Sequence, residues 1–358
     1  MEPSVPANKP PEFPRVNPVI WIGLTLLLLL VFALELALGS LTVPLGDVVD
    51  ILLGGKNSPE GWRQIVLLFR LPRAITAMLA GAALSVAGLK MQTLFRNPLA
   101  DPFVLGISSG ASLGVAFIVL AAGSLNMGGL LARTGVMGNT ALIVAATVGS
   151  MTVLSVVLSV ARKVESALTL LIVGLMFGYI TSSIVSVLMQ FSSEYQTQNY
   201  MLWTFGSFAG VTWRQMTVFA PAISIGVLLA WPLAKPLNAM LLGEEYAHSM
   251  GVSVKIVRGL IIVSASLLSG AVTAFCGPVG FLGIAVPHLC RALFRTSDNH
   301  VLFPATVLLG AALAMFADLV AQVPGTGISL PLNAITALVG APVVVSVILR
   351  RRSMLEAG

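Results

Sequence analysis

Ten stretches of about twenty apolar residues follow one another along this chain, and the connections between them are too short to hold a soluble domain. A stretch of that length in lipid must satisfy its own backbone hydrogen bonds, which a helix does and an open strand does not. The stretches fall at 19–39, 65–89, 103–122, 138–160, 167–190, 214–234, 256–276, 279–294, 301–321 and 330–349. They predict an all-α polytopic membrane protein of about ten transmembrane helices. Residues 19–350 form one transmembrane domain between tails at 1–18 and 351–358. Charged residues make up only 9% of the 358, against about 25% in a soluble domain, too few to cover a globule in water. Soluble enzymes, coiled coils, disordered chains and disulfide scaffolds are excluded together.

The basic residues set the expected sidedness. With the N-terminus inside, 14 of the 20 fall on the cytoplasmic side, Lys9, Arg15, Lys90, Arg96, Arg258 and Arg291 among them, and 6 outside: Lys56, Arg63, Arg70, Arg73, Arg133 and Arg214. That bias favours an even number of spans with both termini cytoplasmic. The Pro-rich start lacks the small-residue cleavage site of a signal peptide, so the segment from Val19 is expected to remain as the first span. Scattered single basic residues do not form a nucleic-acid surface.

A membrane pump needs an energy source, and the chain does not hydrolyse ATP by the usual phosphate-loop route. No Lys is followed by Ser or Thr, so the phosphate-cradling G-x-x-x-x-G-K-[ST] loop is missing. Of the acidic residues only Glu35 and Asp318 lie inside the expected spans, both near outer ends, where capped or snorkelling carboxylates are the simpler expectation. His248, His288 and His300 match no helical metal spacing. Cys276 and Cys290 read as small apolar fillers. Gly106 to Ser112 carries small residues that let helices approach closely.

Three stretches stand out by position. Arg70-Leu71-Pro72-Arg73 puts two forked donors on the side poor in positive charge, followed by QTLFRNPLADP from Gln92 to Pro102. Leu242 to Val252, LGEEYAHSMGV, reads as a short helix with an acidic first turn and a glycine at its end, under the bundle on the cytoplasmic side. Cys276 to His288, CGPVGFLGIAVPH, is a broken span; its companion runs from Leu330-Pro331 to Thr336 through Pro342. Broken helices within a bundle line a pathway.

These motifs, in this order from Leu41 to Arg352, resemble the permease subunits of ABC importers for iron-siderophore complexes, haem and vitamin B12, the FecCD type. The resemblance implies a multi-pass protein of the bacterial inner membrane, paired with a second permease subunit as a homodimer or with a homologue. Two cytoplasmic ATPase subunits bind the ATP and magnesium, so the chain needs no cofactor of its own. A periplasmic or lipid-anchored binding protein delivers cargo. Arg70 and Arg73 match external arginines that dock that protein. Gly243, Glu244, Glu245, Tyr246, Ala247, His248, Ser249, Met250 and Gly251 match the helix that couples to the ATPase, and Asn97 with Leu99 match the cytoplasmic gate. Gln322 and Ser329 depart from the family's charged pattern near the last span, and Ala167 and Leu168 from small polar residues before the fifth. The expected function is ATP-driven import of an iron(III)-siderophore by alternating access. Haem or cobalamin import by the same family is the alternative, and an ion-coupled secondary carrier a more distant one.

Overall fold

The computed structural model describes residues 17–55, 57–121, 139–164 and 167–356. Lys9, Arg15, Lys56, Arg133 and most of the expected N-terminal tail lie outside the described residues. Among the described residues seven helices are long and apolar enough to cross a membrane, and three shorter apolar ones bring the count to ten. The helices are α1 Pro18–Ala37, α2 Leu45–Leu52, α3 Glu60–Leu94, α4 Ile107–Leu120, α5 Asn139–Lys163, α6 Ala167–Gln190 and α7 Glu194–Thr204. There follow α8 Trp213–Leu228, α9 Ala234–Leu241, α10 Glu244–Ser249, α11 Val254–Cys276, α12 Leu282–Phe294, α13 Asn299–Ala321 and α14 Leu332–Glu356.

Local chemistry fixes the ends. Asn17 accepts a hydrogen bond from the Val19 backbone N–H, and Pro18 stands in the first turn of α1, where its missing N–H costs nothing. Ser193 and Gln196 close a capping box on α7. Gly277 ends α11 at φ 76°, and α12 begins after Phe281. The polar groups freed by that break meet protein: the Cys276 carbonyl accepts from Ser207 N–H at 2.8 Å, and Gly280 N–H donates to Asn333 Oδ1 at 3.0 Å. At these two groups the expectation that the broken backbone faces a pathway is corrected.

α3 is the axis of the bundle, and at 35 residues it overruns the expected 65–89 at both ends. At 1.5 Å per residue it is about 52 Å long, against roughly 30 Å of hydrocarbon. Its turns widen to π geometry over Ile65–Arg70, just ahead of Pro72, which has no N–H to give the preceding turn. Gly81 of α3 lies against Gly310 of α13, and Gly88 against Gly283 of α12, so close that a Cβ would strike the facing backbone. α4 and α5 meet the same way through Gly110 and Gly149. In lipid, where burying apolar side chains gives helices no extra attraction, such backbone contact supplies dispersion and a defined register.

The bundle has two distinguishable ends. At one, α9 leads into α10, Asn238 bonds Asp298 and Asn299, and the Trp21 ring lies 4.8 Å from Phe294. At the other, the C-terminal turns of α1 and α13 meet the first half of α3. Cys276 and Cys290 are free and buried, as expected of fillers.

Candidate functional site

At the first end α10 projects from the bundle. Gly243 at φ 127° and Gly251 at φ 84° bracket it, conformations that a side chain would strain. Ala247 is buried, while Glu245, Tyr246, His248, Ser249 and Met250 face outward; Met250 is 60% exposed. Glu244, expected to act on the helix N-terminus, instead holds Arg258 of α11 at 2.8 Å through both carboxylate oxygens. Beside this pair opens a cleft of about 710 Å³ lined by Glu244, Glu245, His248, Lys255 and Arg258.

The turn after α3 lies next to it. Arg96 adopts φ 47°, and its guanidinium approaches Gly243 closely enough that a Cβ there would be 3.8 Å away. Asn97 Oδ1 accepts from Leu99 N–H at 2.9 Å, which turns the chain and leaves Leu99 40% exposed. Asp101 then caps Pro102–Leu105, accepting from Phe103 N–H at 2.9 Å. Burial raises its carboxyl to about 6, and that backbone bond only partly offsets the rise. His288 Nε2 contacts the Pro98 carbonyl at 2.7 Å. Among the described residues no group of His, Cys, Asp or Glu is arranged to hold a metal.

The second end corrects two expectations. Arg70 and Arg73, expected to face outward, point into the bundle. Arg70 is 8% exposed, and its guanidinium donates to the carbonyls of Leu36, Ala37 and Leu41, satisfying the open end of α1 and placing positive charge at its negative pole. Arg73 grips Asp318 at two points, Nε to Oδ2 at 2.6 Å and Nη2 to Oδ1 at 2.9 Å. Glu35 and Asp318, expected to snorkel, are both buried. Gln322 joins them, donating to Glu35 Oε1 at 2.6 Å and to Asp318 Oδ2 at 3.2 Å. The substitution that departs from the family's charge pattern is thus the amide that bridges two buried carboxylates.

Of the basic residues counted on the cytoplasmic side, Lys90 and Arg258 are buried and Arg291 is half-buried. Lys90 is fully enclosed in α3 and donates to Ser264 Oγ of α11 at 2.6 Å. Arg291 donates to the Gln92 side chain, and Arg258 holds Glu244. Arg258 has its partner Glu244 14 positions away, whereas Ser264 and Gln92 lie 174 and 199 positions from Lys90 and Arg291, beyond the reach of local sequence.

The profile of the FecCD transport family matches residues 27–350. The chain belongs to the FecCD transport family. It is 34% identical, over 93% of its length and 94% of the relative's, to the vitamin B12 import system permease protein BtuC of Klebsiella pneumoniae. It is 33% identical to the BtuC of Escherichia coli O127:H6, over 91% of this chain and 94% of that one. A solved structure described as an inward-facing conformation of a metal-chelate type ABC transporter superposes with TM-score 0.80 at 27% identity, covering 93% of this chain and all of that one. This FecCD chain is therefore an ABC importer permease and a multi-pass inner-membrane protein.

Proposed function

We propose that this permease imports a cobalt corrinoid of the vitamin B12 class, drawing its energy from separate ATPase subunits. The observation that carries the cargo is the likeness, at 33–34% over nine-tenths of the chain, to permeases named for vitamin B12 import. The sequence alone ranks iron-siderophore first, and this likeness moves cobalamin ahead of it. A ferric chelate stays the second reading, favoured by the metal-chelate description of the 27% identical structure. The outward faces of Tyr246, His248 and Met250 support α10 as the element that an ATPase grips, with both chain ends cytoplasmic. The turn at Asn97 and Leu99, beside α10, serves as the inner gate. The Arg73 end receives the binding protein and its cargo. Because Arg70 and Arg73 already bond within the chain, they shape that docking face from behind. Two permease subunits enclose the pathway. Uptake of labelled cyanocobalamin by cells expressing the complete importer, competed in turn with unlabelled corrinoid, haem and ferric siderophore, tests the cargo. Saturable uptake competed by corrinoid and by neither haem nor ferric siderophore supports the reading; no uptake of cyanocobalamin by cells that do take up a labelled ferric siderophore replaces it with the second.

A further inference from the structure

α10 is six residues long and sinks one side chain, Ala247, into the protein, so something else must hold it if a push on it is to reach the bundle. Arg258 does so. It sits on α11, just over a turn from that helix's start, with 5% of its side chain exposed. Its Nη2 donates to both carboxylate oxygens of Glu244 at 2.8 Å, and its Nη1 donates to the Val164 carbonyl at 3.3 Å. Val164 is the residue that follows α5, where the chain leaves for α6. One guanidinium therefore ties three pieces together: the projecting helix, the start of α11, and the connection between two spanning helices. α6 presents Leu168, Ile172, Met176, Tyr179 and Ile180 outward and is lightly held by its own chain, so it is free to answer a displacement at Val164.

The chemistry suits a rigid coupler. The planar fork holds two acceptors at a fixed angle, whereas a lysine would hold one at a time. A buried guanidinium stripped of Glu244 is strongly unfavourable, so the pair moves as a unit or separates at high cost. We propose that Arg258 is a positioning residue that carries displacement of α10 to the end of α5 and thence to α6. This rests on the reading of α10 as the ATPase contact, and the experiment separates the two.

The complete importer, with its ATPase and binding protein, is reconstituted with spin labels at Ser249 on α10 and Tyr179 on α6, and distances between the paired permeases are followed on adding ATP. In the otherwise native chain both distances change. With Arg258→Lys the change at Ser249 persists, the change at Tyr179 is lost, and uptake per ATP hydrolysed falls at least tenfold. The double exchange Glu244→Arg with Arg258→Glu regenerates an ion pair but offers Val164 no donor, and is expected to restore assembly with the ATPase without restoring the Tyr179 response. A native Tyr179 response in either variant overturns the proposal while leaving the α10 reading intact. No ATP-dependent change at Ser249 in the otherwise native chain overturns that reading and the proposal with it.

Discussion

Arg73 and Asp318 stand 245 positions apart in sequence and form a two-point ion pair, with Asp318 almost wholly withdrawn from solvent. The pair fastens α3 to α13 at the end of the bundle opposite α10. Gln322 extends it to Glu35, so three helices meet on one guanidinium, one amide and two carboxylates.

The two carboxylates are not equivalent, and substitution distinguishes them. Asp318→Asn leaves Arg73 buried without its counter-charge and is expected to cost about 3–5 kcal/mol. Glu35→Gln keeps an oxygen for the Gln322 amide and replaces an oxygen, Oε2, that has no hydrogen-bond partner. It is expected to be neutral or stabilising. Thermal unfolding of the purified complex in detergent should rank Glu35→Gln well above Asp318→Asn.

Arg70 closes the end of α1, and Arg70→Lys cannot reach three carbonyls at once. Each carbonyl left bare is expected to cost about 1–3 kcal/mol. The loss should be local: hydrogen exchange is expected to rise over the last turn of α1 and the following residues to Val43, and to stay at wild-type rates in α11.

Asp101 makes stability depend on pH. The folded chain holds its proton more tightly than the unfolded chain, since the carboxyl is raised from 3.8 to about 6. Its stabilising contribution is therefore complete below about pH 4 and is lost as pH rises through 6, about 3 kcal/mol in all. Asp101→Asn keeps an oxygen for the Phe103 N–H and does not titrate. It should be more stable than wild type at pH 7.5, the difference fading toward pH 4. Parallel melting curves for the two proteins across that range would contradict this account of Asp101.

Much of the fold is legible in the sequence because a spanning helix is a local property. Twenty apolar residues report themselves, and so does α10, bracketed by Gly243 and Gly251 around an acidic turn. The small-residue contacts of Gly110 were readable for the same reason. What stays hidden is long-range. The π-widened turn at Ile65–Arg70 faces Arg70 toward α1, and nothing in RLPR announces it. The partners of Arg73 and Gln322 lie 245 and 287 positions away, so an inward-facing arginine and an outward-facing one look alike in sequence. Lys90 reads as a loop charge because the apolar stretch stops beside it, while the helix runs on to Leu94.

The glycine contact at the centre offers a further check. Gly81→Leu would drive a side chain into the Gly310 backbone, and such overpacking is expected to cost upward of about 1–3 kcal/mol. Gly23, with open space around it, should accept the same change within about 0.5 kcal/mol. The yield of folded protein from membranes reads the difference directly.

The central claim is that this chain forms a pathway whose energy comes from other subunits. It is tested most directly in proteoliposomes holding the permease and its ATPase, with binding protein and labelled cyanocobalamin on the outer side. Accumulation that requires ATP, vanishes with a hydrolysis-deficient ATPase and withstands dissipation of the proton and sodium gradients is the predicted result. Accumulation by the permease alone that collapses with those gradients would contradict it.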